Sequence, residues 1–490
     1  MNEDLFAAAE NAIAGSLATQ DPDYPLFHVA PPVGRLNDPN GLVLRDGRYH
    51  AFYQFSPFHP HRKLVYWGHA SSDDLTHWRD DGPAIVPDSR YDADGAYSGS
   101  AVLDGPDVRF YYTGNLRHPD GGRDTSQCLV TSTDLERFDK HPGNPLIPVP
   151  PPGYTAHVRD PQVWRDADGS YRMCLGAQRA NETGCALLYR SNDGIQWWFE
   201  GELSFPDAQG AFDAFGYMWE CPSLIRVPDE ASGEWRDVLV FCPQGIAPLG
   251  EGFENIFPCG SVIGRLVGTE LRDTGPFVEL DRGFEFYAPQ VVARQDADRE
   301  PPLLLAWLGN AGEDDQPSLA HGWVHTLSVP RELTVRDGRL VQRPRLECPA
   351  RTSMQINGRQ LRNQRVELVE ARGVRSFALG LCLDVTEAQS WSLRLGAEDC
   401  HIDLAVAQGR LVVDRSTTRY PHGGRRTVTL PETPTIELDL YFDRSVLEVF
   451  FGRGALAFSL RAYLSEAPFV VQLTATGALG VMSATISPFE

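Results

Sequence analysis

Residues 41–72 read GLVLRDGRYHAFYQFSPFHPHRKLVYWGHASS, and this stretch contains the structural unit from which most of the chain is built. Three runs rich in Val, Leu, Tyr, Phe and Trp, at 41–47, 49–55 and 66–72, are separated by Gly, Asp and Pro. Short runs of these residue types between turn-forming residues predict β-strands. We therefore interpret the stretch as three consecutive strands joined by turns.

The same plan recurs four more times along the chain. The first strands of these units are predicted at 99–105, 161–169, 222–229 and 289–296. The second strands are predicted at 108–114, 171–177, 237–243 and 303–309, and third strands include 128–134, 186–192 and 260–266. A period of roughly 60 residues with about four strands per unit is typical of a β-propeller. The sequence predicts a five-bladed β-propeller over residues 25–335.

The remaining parts of the chain have different patterns. Residues 1–24 are predicted to form an N-terminal helical extension, with a helix over 5–18, and residues 336–350 a linker. Residues 351–490 alternate polar and apolar side chains with period two, which indicates antiparallel strands with one buried face. The predicted fold class is all-β, a five-bladed β-propeller followed by a C-terminal β-sandwich.

Composition narrows the range of partners. The chain has 490 residues and a formal net charge of −22, with no basic block, which argues against binding to nucleic acid or to an anionic membrane surface. The N-terminal residues lack the pattern of a secretory signal, and no apolar run has the length of a membrane span. Nine scattered cysteines are typical of reduced thiols, so we expect a cytoplasmic protein. We also expect no cofactor and no metal, and the sequence is compatible with a homo-oligomer, since it leaves the oligomeric state open.

A polar residue precedes the first strand of each predicted blade, at steps of roughly 60 residues: Asp38, Ser98, Asp160, Glu220 and Tyr287. Asp38 and Asp160 lie directly before a proline, and Glu220 is separated from Pro222 by one residue, in Asp-Pro, Asp-Pro and Glu-Cys-Pro. Proline fixes φ and is tolerated at the first residue of a strand. The repeat therefore predicts that these side chains occupy equivalent places and meet at one mouth of the central channel.

Three like charges at one mouth suggest a reaction that uses two carboxyl groups. We expect repulsion and partial burial to raise the pKa of at least one of them, which glycoside hydrolysis requires. The alternatives are ordinary turn residues, a site for a hard cation, or a sugar-binding propeller without catalysis. Candidate substrate-binding residues near the channel-facing turns are Asn37, Gln54, Trp67, Tyr97, Ser98, Arg159, Tyr287 and Trp307.

Several motifs together resemble glycoside hydrolase family 32, the invertases and fructan hydrolases. They are Asn-Asp-Pro-Asn-Gly (37–41), Trp-Gly-His-Ala (67–70), Tyr-Ser-Gly-Ser-Ala (97–101), Arg-Asp-Pro (159–161), Glu-Cys-Pro (220–222), Phe-Tyr-Ala-Pro-Gln (286–290) and Ala-Trp-Leu-Gly (306–309). The resemblance implies that Asp38 is the nucleophile that forms a fructosyl-enzyme and that Glu220 is the general acid and then the base. It also implies that Asp160 binds fructose hydroxyls and stabilises the transition state.

The implied activity is that of a retaining β-fructofuranosidase acting on sucrose or a related small β-fructoside. An exo-fructanase or a fructosyltransferase would share the same three acids, and an inverting, arabinanase-like enzyme is a rival on a related fold. Arg35 replaces the tryptophan that usually precedes the family's first motif, and Arg62 and Lys63 add further cations. One of these three is predicted to contact an anionic group, such as the phosphate of sucrose 6-phosphate, unless they are solvated loop charges.

Overall fold

The computed structural model describes residues 3–295, 297, 299–465 and 469–489. Asp296, the last residue of the fifth predicted first strand, lies outside the described residues, as do Met1, Asn2 and Glu490 of the predicted end segments. Within the described part the chain has one α-helix, α1 (Glu3–Ala14), and it is otherwise built of strands, turns and short 3-10 segments. The helix ends earlier than predicted, where Gly15 and Ser16, both weaker helix formers than alanine, follow Ala14.

Five separate antiparallel sheets form the first and larger part of the structure. Blade 1 contains β1 (Gly34–Arg45), β2 (Arg48–Ser56), β3 (Tyr66–Ser72) and β4 (Arg79–Ile85), and blade 2 contains β5 (Ala96–Asp104), β6 (Asp107–Arg117), β7 (Arg123–Ser132) and β8 (Asp139–Lys140). Blade 3 contains β9 (Tyr154–Arg165), β10 (Tyr171–Arg179), β11 (Gly184–Ser191) and β12 (Trp198–Glu202). Blade 4 contains β13 (Met218–Pro228), β14 (Trp235–Gln244), β15 (Gly260–Val267), β16 (Glu270–Arg272) and β17 (Val278–Glu279).

Blade 5 completes the ring. Its strands are β18 (Tyr287–Val291), β19 (Leu303–Leu308), β21 (Thr326–Leu327), β22 (Arg331–Arg336) and β23 (Arg339–Pro344), whereas β20 (Trp323–Val324) pairs in parallel with β1 of blade 1. A parallel bridge between Val43 and Ala293 also joins the first strands of blades 1 and 5. Because the first strands contact one another in the order β1, β5, β9, β13, β18 and back to β1, the predicted five-bladed propeller is confirmed.

The repeat seen in the sequence after three of the third strands is a repeated turn. In blade 1 the Ser72 hydroxyl accepts a hydrogen bond from the Leu75 backbone N–H (2.9 Å), and Asp74 accepts one from the Thr76 N–H (2.9 Å). The matching turns in blades 2 and 3 use Ser132 with Asp134 and Ser191 with Asp193. Side-chain acceptors that bond their own backbone explain why the polar residues of this turn recur although they are remote from the channel.

The C-terminal part is a two-layered β-sandwich built around two long strands. The two long strands are β26 (Ser376–Gly396) and β33 (Val470–Pro488). The other strands of this part are β24 (Thr352–Ser353), β25 (Gln360–Glu367), β27 (His401–Ala407), β28 (Arg410–Asp414), β29 (Arg425–Thr429), β30 (Thr435–Asp443), β31 (Val446–Phe451) and β32 (Leu456–Arg461). Strands β26 and β33 pair along their length, with breaks in register between residues 382 and 390 of β26.

These two long strands pass from one layer of the sandwich to the other. The first half of β26 pairs with β30 and the second half with β27, so each half belongs to a different layer. Apolar residues from both halves, including Leu381 and Leu393, enter one common core with residues of β30 and β33. Register breaks of this kind let a strand bend between packed sheets.

The strand β23 lies inside the stretch 336–350 that the sequence assigns to a linker, and it pairs with β22 in blade 5. The helix α1 rests on blade 1 through Leu5, Phe6 and Ile13, which pack against the largest core of the propeller. All nine cysteines are free thiols. No helix among the described residues has the length and hydropathy needed to span a membrane.

A buried ionic network joins the propeller to the sandwich. Arg331 of blade 5 is fully buried, contacts Glu448 of the sandwich and Asp281, and lies between the rings of Phe286 and Phe450, 4.3 and 4.9 Å from their centroids. Glu448 also pairs with the ring of His28. Each charge in this network is met by an opposite charge, which makes loss of one partner costly.

We expect Glu448→Ala to lower the free energy of unfolding by about 3–5 kcal/mol, because Arg331 would be left buried without its main counter-ion. The matched control is Glu437→Ala on the neighbouring strand β30, where the carboxylate pairs with exposed Arg453 and the expected cost is about 0–1 kcal/mol. Chemical denaturation at pH 7 measures both values. Equal costs for the two variants would contradict the role given to the network.

Candidate active site

In every blade the first strand carries a β-bulge at the same end of the propeller. The register skips two residues of the first strand against one of the second, between Leu36 and Pro39, Ala96 and Gly99, Arg159 and Gln162, Glu220 and Ser223, and Tyr287 and Gln290. A bulge bends its strand and changes the direction in which side chains point. These five bulges form the rim of the channel, and all three predicted acids lie at them.

The expectation that the acids occupy equivalent places is wrong in detail. Asp38 is the second of the two bulged residues in its blade, Asp160 is the first, and Glu220 is the paired residue just before the bulge. The first bulged residues of blades 3, 4 and 5, which are Asp160, Cys221 and Ala288, have φ values of 64°, 47° and 50°. A left-handed backbone conformation is uncommon at residues other than glycine. The surrounding structure must therefore keep these three residues in that conformation.

Asp38 is bound by donors from its own blade and from blade 2. The Ser98 hydroxyl donates to Asp38 Oδ2 (2.5 Å), Gln54 Nε2 donates to the same oxygen (3.3 Å), and Asn37 Nδ2 donates to Oδ1 (3.2 Å). The turn that carries Asp38 needs Gly41, because a Cβ there would lie 2.8 Å from the Trp67 ring and φ is +50°. The Asn-Asp-Pro-Asn-Gly turn therefore places one carboxylate and its donors at the channel mouth.

Glu220 accepts four hydrogen bonds and lies between blades 3 and 5. Arg159 Nη2 and Nε donate to Glu220 Oε1 (2.6 and 3.1 Å), whereas the Tyr287 hydroxyl and Gln244 Nε2 donate to Oε2 (2.6 and 2.5 Å). Hydrogen bonds to an ionised carboxylate stabilise the charged form. The free site therefore holds Glu220 as an anion paired with Arg159.

Asp160 is almost completely buried, and it forms hydrogen bonds with Thr113 and Cys221. Its backbone N–H donates to the Thr113 hydroxyl (3.0 Å), and its Oδ2 accepts from the backbone N–H of Cys221 (3.0 Å). The Cys221 thiol lies 3.7 Å from Asp160 Oδ2 and 3.8 Å from Asp38 Oδ2. The three predicted acids are thus brought to one place, with the Cys221 thiol between two of them.

The three carboxyl groups have different affinities for protons. Burial, opposed by Arg159 and reinforced by the charges of Glu220 and Asp38, raises the pKa of Asp160 to about 7. Burial also raises the pKa of Asp38, although the hydrogen bond from Ser98 opposes this. Burial acts against ionisation of Glu220 too, but the charge of Arg159 outweighs it and the pKa of Glu220 is lowered. The expectation that at least one pKa is raised agrees with these shifts.

The predicted binding residues do not all reach the channel. Asn37, Gln54, Ser98, Arg159 and Tyr287 contact an acid directly, as described above. Trp67 is fully buried between blades 1 and 2, so the prediction that it binds substrate is wrong. Its indole N–H donates to the Tyr97 carbonyl (3.0 Å) and so helps to position the half-buried Tyr97. Trp307 is 3% exposed and packs on Gly309, and its indole nitrogen has no hydrogen-bond partner among the described residues.

Arg35 is not a free cation. It is 3% exposed, its Nε donates to Asp314 Oδ1 (2.9 Å), its Nη1 donates to Asn37 Oδ1 (2.8 Å), and its guanidinium lies 5.1 Å from the Trp307 ring centre. The His325 hydrogen bond and the Arg35 charge outweigh burial and hold the pKa of Asp314 below its usual value. The charge of Arg35 is therefore compensated, and its structural task is to orient Asn37 beside Asp38.

Four residues of the site were missed by sequence reasoning: Cys221 as a contact of the acids, Gln244, Asp314 and His157, whose Nδ1 lies 3.0 Å from Arg159 Nη1. Gln244 carried a weak signal, because it is a polar residue at the end of an apolar second strand. The others follow from contacts between distant segments. In the described residues no group of three or more His, Cys, Asp and Glu side chains is arranged to hold a metal ion.

Comparison with known proteins agrees with this geometry. The model of the glycosyl hydrolases family 32 N-terminal domain matches residues 28–344, and that of the family 32 C-terminal domain matches 349–488. The chain belongs to glycoside hydrolase family 32. It is 37% identical to a raffinose invertase of Escherichia coli, covering 90% of this chain and 89% of the relative. It is 38% identical to a sucrose-6-phosphate hydrolase of Klebsiella pneumoniae, covering 91% and 90%.

A solved structure shares the whole architecture. A mutant of a Bombyx mori family 32 β-fructofuranosidase in complex with sucrose superimposes with a TM-score of 0.82 at 30% identity, covering 99% of this chain and 98% of the other. The family 32 glycoside hydrolase therefore has the propeller and the C-terminal sandwich in the arrangement found in that enzyme.

We expect Asp160→Asn to raise the melting temperature by a few degrees, and by more at pH 7.5 than at pH 5. The folded pKa of Asp160 is about 7 and the unfolded value is 3.8, so the stability contributed by the protonated carboxyl is present below pH 3.8 and is lost as the pH rises to about 7. An asparagine cannot ionise and avoids this loss. The control, Asp139→Asn on an exposed edge strand, should change the melting temperature little at either pH, and a gain that is larger at pH 5 would contradict the assignment.

Proposed function

We propose that this glycoside hydrolase is a retaining β-fructofuranosidase that hydrolyses the fructosyl bond of sucrose or a related small β-fructoside. Asp38 attacks the anomeric carbon, Glu220 protonates the leaving oxygen and then activates water, and Asp160 accepts hydrogen bonds from fructose hydroxyls. The observation that carries the proposal is the convergence of three carboxylates, each bound by donors from a neighbouring blade, at one channel mouth. Two carboxyl groups with separate tasks are what glycoside hydrolysis requires.

The environment of Asp38 supports its role as the nucleophile. Three donors, from Asn37, Gln54 and Ser98, fix its two oxygens and stabilise its ionised form against the burial that raises its pKa. Burial leaves the carboxylate less hydrated than in water, which keeps it reactive toward carbon. The same donors hold the side chain in one orientation, so little reorganisation is needed before attack.

The proton on Glu220 requires a separate explanation, because Arg159 favours the anion of Glu220 in the free site. At neutral pH Asp160, with a pKa of about 7, keeps a proton in part of the molecules, and burial raises the pKa of Asp38 as well. Hydroxyl groups of a bound fructose would donate to Asp160 and favour its ionised form. We infer that substrate binding moves the shared proton of the three carboxyls to Glu220, since the three groups titrate as one interacting set.

The substrate class is supported by the relatives. Proteins named raffinose invertase and sucrose-6-phosphate hydrolase share more than a third of their residues with this chain over about nine-tenths of its length. An exo-fructanase or a fructosyltransferase would use the same acids and would differ in the sugar or acceptor bound outside the fructose site. A cytoplasmic location is also part of the proposal, supported by the nine free cysteines.

We expect Glu220→Gln to lower kcat for sucrose by about 10²–10⁴-fold, the range typical of general acid–base catalysis, and Asp38→Asn to lower it further because no fructosyl-enzyme can form. Reducing-sugar release under saturating sucrose measures both. Asp139→Asn, which removes an exposed carboxylate on the outer strand of blade 2, is the control and should retain wild-type kcat. Substantial hydrolysis by Glu220→Gln would contradict the role of Glu220 as the general acid, and a wild type that binds sucrose without hydrolysing it would favour a sugar-binding protein.

The stereochemistry of the product tests the retaining mechanism independently. Proton NMR during the first turnovers should show β-fructofuranose appearing before mutarotation, because two displacements at the anomeric carbon restore the starting configuration. Initial release of the α-anomer would mean that water attacks directly, as in the inverting, arabinanase-like rival.

The protonation of Asp160 in the free enzyme predicts how kcat/KM for sucrose falls at alkaline pH. We expect kcat/KM for sucrose to fall as the pH rises through about 7, because Asp160 then loses the proton that the site must pass to Glu220. The limb belongs to kcat/KM, which reports the free enzyme. A kcat/KM that stays constant from pH 6 to pH 9 would contradict the claim that the site needs the proton of Asp160.

A further inference from the structure

In the described part of the chain, five arginine and lysine side chains lie near the mouth of the channel, and two of them are bonded to a carboxylate. Arg35 is paired with Asp314 and Arg159 with Glu220. The three others are Lys63, on the loop after β2, and Arg117 and Arg123, at the end of the β6–β7 hairpin. We call these three residues the anion arc. Burial lowers the pKa of both Lys63 and Arg123, and the charge of Arg117 lowers it further, so Arg117 lies close enough to repel both side chains.

The hairpin brings two of the cations face to face. Arg117 of β6 and Arg123 of β7 are direct cross-strand partners, so their side chains leave the same face of the hairpin. Like charges in this position lower the stability of a sheet. An unfavourable pair of this kind at the mouth of an active site suggests that a ligand supplies the missing negative charge.

The face that carries Arg123 points toward blade 3. Along β7, Gln127 Nε2 donates to the Val158 carbonyl (3.2 Å) and the Thr125 hydroxyl donates to the Ala156 carbonyl (2.8 Å), both on β9. Alternate residues of a strand share one face, so Arg123 is the next member of this row. The charges of Arg159, Arg117 and Glu220 act on Arg123, which places it on the Glu220 side of the mouth.

The local acids do not neutralise the pair. In the part of the chain that the structure describes, neither guanidinium forms an ion pair; Arg117 donates to the Tyr97 hydroxyl, and Asp94 is the carboxylate whose charge acts on it. Asp124, next to Arg123, pairs with His118 (3.0 Å). Glu220 already accepts four hydrogen bonds from Arg159, Tyr287 and Gln244. Arg123 therefore keeps an uncompensated charge although it is only half exposed.

The position relative to Glu220 indicates which part of a substrate the arc would contact. In the proposed function Glu220 protonates the leaving oxygen, so a cation on the Glu220 side lies near the leaving-group sugar. Paired guanidinium groups suit a phosphate monoester, which carries close to two negative charges at pH 7 and accepts bidentate hydrogen bonds. The chain has a net charge of −22, so cations without a bonded carboxylate among the described residues give this mouth a local charge of the opposite sign, which attracts anions.

We propose that Arg117 and Arg123, with Lys63 at the edge, bind a phosphate monoester on the leaving-group sugar and make the enzyme prefer sucrose 6-phosphate to sucrose. This inference rests on the proposed function and adds the residues that decide between the two substrates. It moves the predicted phosphate contact away from Arg35, whose charge is compensated, and leaves Lys63 as a secondary contact.

The test compares kcat/KM for sucrose 6-phosphate and for sucrose in the wild type, Arg123→Gln, Arg123→Lys and Arg137→Gln. We expect the wild type to prefer the phosphorylated substrate, and Arg123→Gln to reduce that preference about tenfold or more, the effect of losing a hydrogen bond between charged groups. Arg123→Lys should keep part of the preference because it keeps the charge. Arg137→Gln, on the outer part of the same blade with its side chain 77% exposed, should leave the preference unchanged.

Inhibition by products separates the sugar phosphate from free phosphate. We expect glucose 6-phosphate to inhibit sucrose hydrolysis more strongly than glucose or inorganic phosphate, and Arg123→Gln to abolish the difference between the two sugars. Inorganic phosphate inhibiting as strongly as glucose 6-phosphate would overturn the assignment to the leaving-group sugar.

The failure of this inference can be distinguished from failure of the proposed function. A wild type that hydrolyses neither substrate would overturn the proposed function. A wild type that hydrolyses both with equal kcat/KM, or an unchanged preference in an Arg123→Gln protein with wild-type melting temperature, would overturn only the phosphate subsite. A preference that is lost in Lys63→Met but kept in Arg123→Gln would likewise overturn it, since the anion would then lie on the blade 1 side.

Discussion

Three carboxylates can share one buried mouth only because donors from neighbouring blades meet their charges. Ser98 of blade 2 binds Asp38 of blade 1, the Cys221 backbone of blade 4 binds Asp160 of blade 3, and Arg159 of blade 3 binds Glu220 of blade 4. None of these bonds forms within a single blade, so the site exists only when the ring is closed. The parallel pairing of β20 with β1 and the bridge between blades 1 and 5 are therefore conditions for the site as well as for the fold.

The sandwich takes part in holding this arrangement. Glu285, two residues before Tyr287, pairs with Arg415 of the sandwich and accepts a hydrogen bond from the Arg461 backbone N–H (2.9 Å). The segment that presents Tyr287 to Glu220 is thus fixed from behind by the second domain. A buried ion pair contributes little net stability, but it fixes the position of the groups that it joins. The sandwich therefore has a physical connection to the site, although it supplies no group to the three acids.

The electrostatics of the mouth have opposite effects on folding and on chemistry. Burying Asp160 beside two other carboxyls costs stability above its pKa, and the same burial keeps a proton available near neutral pH. The left-handed backbone at Asp160, Cys221 and Ala288 is a second cost at the same place. Functional sites commonly keep such local costs, and the rest of the fold offsets them.

The sequence alone was sufficient to predict the repeat, the strands and the spacing of Asp38, Asp160 and Glu220. Strand periodicity and turn chemistry are local properties, so they can be recognised without the structure. They were enough to give the propeller, the sandwich and the acids. The tertiary structure alone decided that the acids occupy three different positions of the bulge, that Trp67 is buried, and that Asp314 neutralises Arg35. It also brought Gln244 to Glu220 and gave Arg123 no ion pair with any of the described carboxylates. These outcomes depend on contacts between residues far apart in sequence, and such contacts are set by packing and register, which no local pattern encodes.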